Sequence, residues 1–155
     1  MPLRLWRIAT GSHPVWGGEG ARLHGGRWNP PGLPAIYAGT SFAIAALEIL
    51  VHANLGRVPR NARFVEAAVP DGVPVERPHP DTLPHGWAEA DPATARNFGG
   101  AWLRERRSAV LLVPSAATGG LDWNAVVNPD HPEAGRIAVG EERPVAWDRR
   151  LFGGG

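Results

Sequence analysis

One segment, TSFAIAALEILVHANL at residues 40–55, places the strongest constraint on how this chain can fold. Apolar residues cover most of the circumference of a helix drawn through it, and Thr40 or Ser41 can serve as its N-cap. A helix that is apolar on nearly every side has to be buried against other elements of the fold. Four residues of this helix recur every three or four positions and share one stripe: Ser41, Ala45, Glu48 and His52.

The remaining elements are expected to be short, because glycine and proline interrupt the chain throughout. Alternating apolar and polar residues predict strands at Leu3–Ala9 and Arg63–Val69. Residues 93–106 predict a second helix, which is weakened at its centre by Gly99 and Gly100. Further strands are expected in PAIYAG (34–39), SAVLLVPSA (108–116), RIAVG (136–140) and PVAWD (144–148), and DWNAVVNPDHP (122–132) predicts a strand or a short helix.

Two stretches predict irregular structure. GSHPVWGGEGARLHGG at residues 11–26 predicts a loop, and the proline-rich residues 70–92 predict an irregular crossing segment with one short helix near 83–87. No repeat or linker divides residues 1–155, so we expect a single α+β domain. Its short strands would form a central mixed sheet packed with two or three main helices, and the glycines at 153–155 would fray.

The composition excludes several functional classes. The chain has no cysteine, which rules out disulfides and thiolate chemistry, and no lysine, which rules out a Schiff base or a Walker lysine. A net charge of +1 gives no overall signal for nucleic-acid binding. Neither a signal-peptide pattern nor an apolar run long enough to cross a membrane is present, so we expect a cytoplasmic protein.

Common catalytic motifs are also missing. The six histidines are scattered and form no HExxH pair, so no metal site is predicted. The glycine-rich stretches match neither a P-loop nor a dinucleotide-binding GxGxxG. Ser115 follows a predicted buried strand but lacks the GxSxG context of a hydrolase nucleophile.

Three residues remain as candidates, each with a structural and a functional interpretation. Glu48 lies in an apolar helix, where a carboxylate is costly unless it is paired, and a buried ion pair with an arginine such as Arg27 would explain it equally well. Arg27, after two glycines, can bind phosphate or carboxylate, or it can pack on Trp28. Tyr37, the only tyrosine, can be a site residue or a core aromatic with a satisfied hydroxyl.

Several motifs in order along the chain resemble those of the RES domain, the toxin of RES–Xre toxin–antitoxin pairs. They are LWRI, GEGARLHGGRWNPPGLPAIYA, SFAIAALEILVH, GGAWL, SAVLLVPSA, NAVVNPDHP and WDRRLF. The resemblance covers almost the whole chain. It implies an ADP-ribosyltransferase-like fold and an enzyme that acts on NAD by cleaving the bond between nicotinamide and ribose.

The resemblance also implies roles for particular residues. Arg7 and Arg27 would clamp the pyrophosphate, and Tyr37 would pack on nicotinamide or ribose. Glu48 would stabilise the positive charge that develops on the ribose, as in glycoside hydrolysis. Ser115 would donate a hydrogen bond to the substrate; Ser108 and Thr94 are weaker candidates for that role.

We therefore expect a toxin that depletes NAD by hydrolysis or phosphorolysis. Mono-ADP-ribosyl transfer to a host protein is the enzymatic alternative, and a binding module with a structural Arg27–Glu48 ion pair is the non-enzymatic one. The resemblance further implies an Xre-type DNA-binding antitoxin as partner, with no direct binding of nucleic acid by this chain. A homodimer or a larger toxin–antitoxin complex is compatible with the sequence.

Overall fold

The computed structural model describes residues 2–52 and 57–153. Within them the chain forms three α-helices and one sheet of eight strands. The helices are α1 (Glu19–His24), α2 (Phe42–His52) and α3 (Ala93–Glu105). The strands are β1 (Leu3–Ala9), β2 (Ile36–Gly39), β3 (Arg63–Val69), β4 (Val75–Glu76), β5 (Val110–Pro114), β6 (Trp123–Val127), β7 (Ala138–Val139) and β8 (Arg143–Pro144).

The sheet is mixed, and its strand order is β4-β5-β6-β2-β1-β3-β7, with β8 also paired to β3. The β4–β5 pair is parallel and the other pairs are antiparallel. Between β1 and β2 a single pair of residues is in register, Trp6 with Gly39, whereas β1 pairs with β3 along its whole length. The two central strands therefore diverge on one side of that pair. The expected α+β fold with a mixed sheet and three helices is confirmed.

Successive side chains of a strand point to opposite faces of the sheet, and buried apolar clusters lie on both faces here. On β2, Ile36 and Ala38 join one buried cluster with Leu5, while Tyr37 points to the other face. There α3 contributes Trp102, which is fully buried. A third cluster forms where α2 packs on β1.

The positions of the elements with the strongest patterns are confirmed, but the burial predicted for α2 is only partly found: Ile44, Ala45 and Leu50 are buried, whereas Val51 is 48% exposed. Strands β1 and β3 have the predicted bounds, and α3 ends one residue before the predicted end. Helix α2 begins at Phe42, and the Ser41 hydroxyl accepts a hydrogen bond from the Ile44 N–H at 3.1 Å, so Ser41 is its cap. The continuation predicted for residues 53–55 and the end of the predicted tail, 154–155, lie outside the described residues.

Three local predictions are wrong. The predicted loop at 11–26 contains α1, whose end is stabilised from a distance because the Asn29 amide donates to the Ala21 carbonyl at 2.8 Å. The expected strand at 144–148 is limited to β8, since Val145 and Trp147 pack against the α2 cluster instead. The short helix expected near 83–87 does not form: those residues make a bend and a turn, and a 3₁₀ turn at Pro80–Thr82 precedes them.

The Gly99-Gly100 pair in α3 has a packing role. A Cβ placed on Gly99 would lie only 1.8 Å from the Trp28 carbonyl oxygen, so no other residue fits there. The glycines therefore let α3 approach the segment before β2 closely, at the expense of intrinsic helix propensity.

Among the described residues, no helix combines the length and apolar character needed to cross a membrane.

Candidate active site

A cavity of about 170 Å³ opens where β1 and β2 diverge, and α2 forms one of its walls. The α2 stripe predicted from the sequence contributes Ala45, Glu48 and His52 to its lining, with Ile49 beside them. The sheet supplies the remaining lining residues: Trp6, Arg7, Ile8, Tyr37, Ala38, Gly39 and Asn124. A carboxylate, a guanidinium and an amide thus face one mostly apolar space, which is typical of a ligand site.

Glu48 is held in place by neutral hydrogen-bond donors. Its Oε1 accepts from the Ser115 hydroxyl at 2.7 Å and from the Asn124 amide at 2.9 Å. Its Oε2 lies 3.9 Å from His52 Nε2, and 28% of the side chain is exposed. Within the described ranges no arginine lies in salt-bridge distance of this carboxylate. The carboxylate is therefore oriented at the cavity without being neutralised by an ion pair.

Arg7 spans the opening between the two central strands. Its Nε donates to the Val15 carbonyl at 2.6 Å, and its Nη1 donates to the Tyr37 carbonyl at 2.8 Å. Burial lowers the pKa of Arg7, because the surrounding protein solvates the charge less well than water does. A partly buried guanidinium that is held by backbone carbonyls beside a cavity is suited to bind an anionic ligand.

Tyr37 has its hydroxyl engaged by the protein. The hydroxyl donates to Asn29 Oδ1 at 2.6 Å and accepts from the Trp28 N–H at 3.0 Å. A Cβ on Gly26 would lie 2.5 Å from the same oxygen, so the glycine makes room for it. Burial raises the pKa of the phenol. Tyr37 therefore contacts the cavity while its hydroxyl belongs to the packing under α3.

Arg27 lies outside the set of residues that line this cavity. Its Nη1 donates to the carbonyls of Trp87, at 3.0 Å, and Glu89, at 2.8 Å. The Trp87 and Trp28 rings stack with their centroids 6.0 Å apart. Arg27 and this stack fasten the proline-rich segment to the residues that precede β2. The Arg27–Glu48 ion pair is not formed, since each residue has other partners.

The three hydroxyl candidates lie in different surroundings. Ser115 is fully buried at the end of β5, and its hydroxyl donates to Glu48. Ser108 is also buried, but it accepts from the Trp102 indole at 2.8 Å and donates toward β4 and β5, away from the cavity lining. Thr94 lies in the first turn of α3 and is not among the lining residues.

The sequence did not single out Trp6 or Asn124, and His52 was noted only as part of the α2 stripe. Asn124 gives no local signal, because it is one polar residue at the start of an apolar strand. The β2–β6 register brings it opposite Gly39, which has no side chain to separate it from α2. In residues 2–52 and 57–153, no group of three or more histidine, aspartate and glutamate side chains is arranged to hold a metal ion.

Comparison with known proteins identifies the family of this chain. The RES domain family model matches residues 4–148. The chain belongs to the RES domain family, and the expectation from its motifs is confirmed.

Similar proteins agree with that assignment. A protein from Sphingobium sp. (strain YBL2), named Prs ADP-ribosylating toxin, is 40% identical over 160 residues, which cover 98% of each chain. A protein named Toxin Res from Photorhabdus laumondii is 35% identical over 81% of each chain. The crystal structure of the M. tuberculosis MbcT–MbcA toxin–antitoxin complex contains a chain with the same fold, with a TM-score of 0.76, 23% identity and coverage of 94% of this chain and 85% of that one.

Proposed function

We propose that this protein is the toxin of a toxin–antitoxin system and that it consumes NAD by cleaving the bond between nicotinamide and ribose. The observation that carries the proposal is the Glu48 carboxylate, held through Oε1 by Ser115 and Asn124 at a cavity that is also lined by the partly buried Arg7. A fixed anion and a fixed cation in one small cavity suit a substrate that is anionic at one end and develops positive charge at the other.

The reaction requires little acid catalysis by the protein, because nicotinamide is a good leaving group. The bond between C1′ of the ribose and the pyridinium nitrogen breaks, and its electron pair leaves with nicotinamide, which departs neutral. The ribose gains oxocarbenium character, and the Glu48 carboxylate stabilises that charge. An acceptor oxygen then forms the new bond to C1′ and releases its proton. Glu48 Oε2, beside His52, is the oxygen placed to contact the ribose.

The remaining residues would bind the substrate. Arg7 would hold the pyrophosphate with the guanidinium protons that its two backbone carbonyls leave free. Arg27 keeps its proposed role in the same clamp, with the guanidinium protons that the Trp87 and Glu89 carbonyls leave free. The Tyr37 ring would pack on the nicotinamide–ribose end, while Ser115 would act chiefly through Glu48.

The size of the cavity fits only part of the dinucleotide. Its volume of about 170 Å³ is below the roughly 300–1,000 Å³ of sites that enclose a whole ligand of drug size. We therefore infer that the nicotinamide–ribose end enters the cavity and that the adenosine end lies along the outer surface.

Two acceptors are proposed for the ADP-ribose. Hydrolysis or phosphorolysis of NAD follows from the resemblance, with water or phosphate as acceptor. Transfer to a protein is favoured by the 40% identical relative that is named for ADP-ribosylation of Prs. The two reactions share the cleavage step and the residues that perform it, so they differ only in what reaches C1′.

The same system would include an antitoxin. The similar fold in the MbcT–MbcA complex supports a protein antitoxin as partner, and we propose the Xre type and a cytoplasmic location on the resemblance of the motifs.

Nicotinamide release by purified protein tests the proposal. We expect release from NAD by the chain prepared without antitoxin, and no release when NAD is omitted. Label from NAD carrying a marked adenylate would appear on added Prs if the acceptor is that protein, and on free ADP-ribose or its phosphate if it is not. Fresh, folded protein that releases no nicotinamide with water, phosphate or Prs present would refute the proposed function.

A further inference from the structure

Asn124 is one of the two hydrogen-bond donors to the Glu48 carboxylate in the described part of the chain. The residue lies on β6 opposite Gly39, lines the cavity, and donates from Nδ2 to Glu48 Oε1 at 2.9 Å. An ionised carboxylate can only accept hydrogen bonds, so the amide must turn its N–H₂ group toward Glu48. Its carbonyl oxygen, Oδ1, must consequently face away from the carboxylate.

That oxygen has no partner among the described residues. Asn124 Oδ1 is buried and accepts no hydrogen bond there. Buried polar atoms are nearly always satisfied, because leaving an acceptor without a donor costs free energy. The bond from Nδ2 to Glu48 is therefore the one side-chain hydrogen bond that holds the Asn124 amide among the described residues, and it ties the orientation of the amide to the carboxylate.

We propose that Asn124 is the positioning residue for Glu48. Its N–H₂ group and the Ser115 hydroxyl together fix Oε1, which leaves Oε2 as the oxygen presented to the ribose. This inference rests on the proposed function and names a further part of the same site.

The experiment compares Asn124→Asp with Asn124→Ala. Aspartate keeps the shape of the side chain but replaces the donor with a second carboxylate beside Glu48. We expect kcat for nicotinamide release to fall about 100-fold in N124D, in the range seen when one positioned donor is removed. Asn97→Asp, on the exposed side of α3, makes the same chemical change away from the cavity and should leave kcat and KM unchanged.

A mutant cycle separates positioning from a merely structural role. If Asn124 acts through Glu48, N124A lowers the rate in the wild-type background but not the residual rate of Glu48→Gln. An equal fall in both backgrounds would overturn the positioning role.

The coupling between Asn124 and Glu48 can be measured even if the proposed function is wrong. If wild-type protein releases no nicotinamide, the melting temperatures of N124A, E48Q and the double variant still measure the coupling of the two side chains without NAD. We expect a double-variant shift that differs from the sum of the single shifts by a few degrees. Additive shifts would show that Asn124 does not position Glu48.

Discussion

Two polar clusters flank β2, and they differ in how completely their hydrogen bonds are satisfied. In the cluster under α3, the Tyr37 hydroxyl donates to Asn29 and accepts from the Trp28 N–H, while the Asn29 amide donates to three backbone carbonyls. In the cluster beside α2, Glu48 Oε2 and Asn124 Oδ1 accept no hydrogen bond from the described residues.

The difference in hydrogen-bond satisfaction distinguishes a cluster that packs the fold from a cluster that can bind a ligand. A closed network stabilises the fold and leaves nothing for a ligand, whereas a network with open acceptors at a cavity is incomplete without one. Each cluster contains an asparagine, so that residue type does not separate them, but the hydrogen-bond partners do. The following predictions compare the loss of activity with the loss of stability in variants of the two clusters and of Arg27.

The largest effect is expected in the open cluster. Glu48→Gln should lower nicotinamide release roughly 10²–10³-fold, because the carboxylate charge that stabilises the ribose is lost. Glutamine has the same shape and can accept from Ser115, so the melting temperature should change little. Glu141→Gln, at an exposed carboxylate, is the matched control and should keep full activity. Full activity in E48Q would remove Glu48 from the site.

Arg27→Ala should affect both properties. Loss of the bonds to the Trp87 and Glu89 carbonyls loosens the proline-rich segment, and a lost bond to a charged group costs about 1.5–3 kcal/mol. That corresponds to a melting temperature lower by roughly 3–12 °C in a domain of this size.

The activity of the same variant decides the role of Arg27. If it also clamps the pyrophosphate, KM for NAD should rise about tenfold, the effect of one lost charge-assisted contact of about 1.4 kcal/mol. Arg149→Ala, at an exposed arginine, is the control for charge and should change neither quantity. A lower melting temperature with an unchanged KM would assign Arg27 to the fold alone.

Tyr37→Phe should reduce stability more than activity. Asn29 Oδ1 and the Trp28 N–H lose their shared partner, which costs about 1–3 kcal/mol for buried groups. Thermal unfolding should therefore begin several degrees lower, while nicotinamide release changes only a few-fold because the ring remains. Thr40→Val, which removes a hydroxyl bond at a partly exposed position, should be milder. A large loss of activity with an unchanged melting temperature would contradict the structural role of the hydroxyl.

The smallest effect concerns alkaline pH. Burial raises the pKa of Tyr37 above the ordinary phenol value near 10. Below pH 10 the phenol is neutral in both states and its contribution to stability is fully present. Above it, the unfolded chain loses the proton first, so stability falls as pH rises.

The single tyrosine makes this titration visible in the ultraviolet absorbance of tyrosinate. Native protein should show tyrosinate only at higher pH than protein in denaturant, and the melting temperature of the wild type should fall more steeply above pH 10 than that of Tyr37→Phe. Native and denatured protein that titrate together would contradict the burial of this hydroxyl.

Much of the site could be predicted from local pattern. The α2 stripe placed Ala45, Glu48 and His52 on one wall, and all three line the cavity because helical periodicity fixes which residues share a face. Arg7 was predicted as a site residue from the resemblance of the LWRI motif. Asn124 and Trp6 were missed, since each becomes a site residue only through strand pairing.

The sequence by itself determined the elements and the candidate carboxylate. Strands β1 and β3, helices α2 and α3, and the unusual position of Glu48 in an apolar helix all follow from short-range spacing of residue types. The tertiary structure decided which polar groups are satisfied. In the folded chain the Tyr37 hydroxyl bonds to Asn29, and Arg27 bonds to the proline-rich segment. Glu48 and Asn124 each keep an acceptor oxygen without a hydrogen bond among the described residues. The partners of Arg27 and Glu48 lie as far as 62 and 76 residues away in the chain, and only the folded packing brings them together.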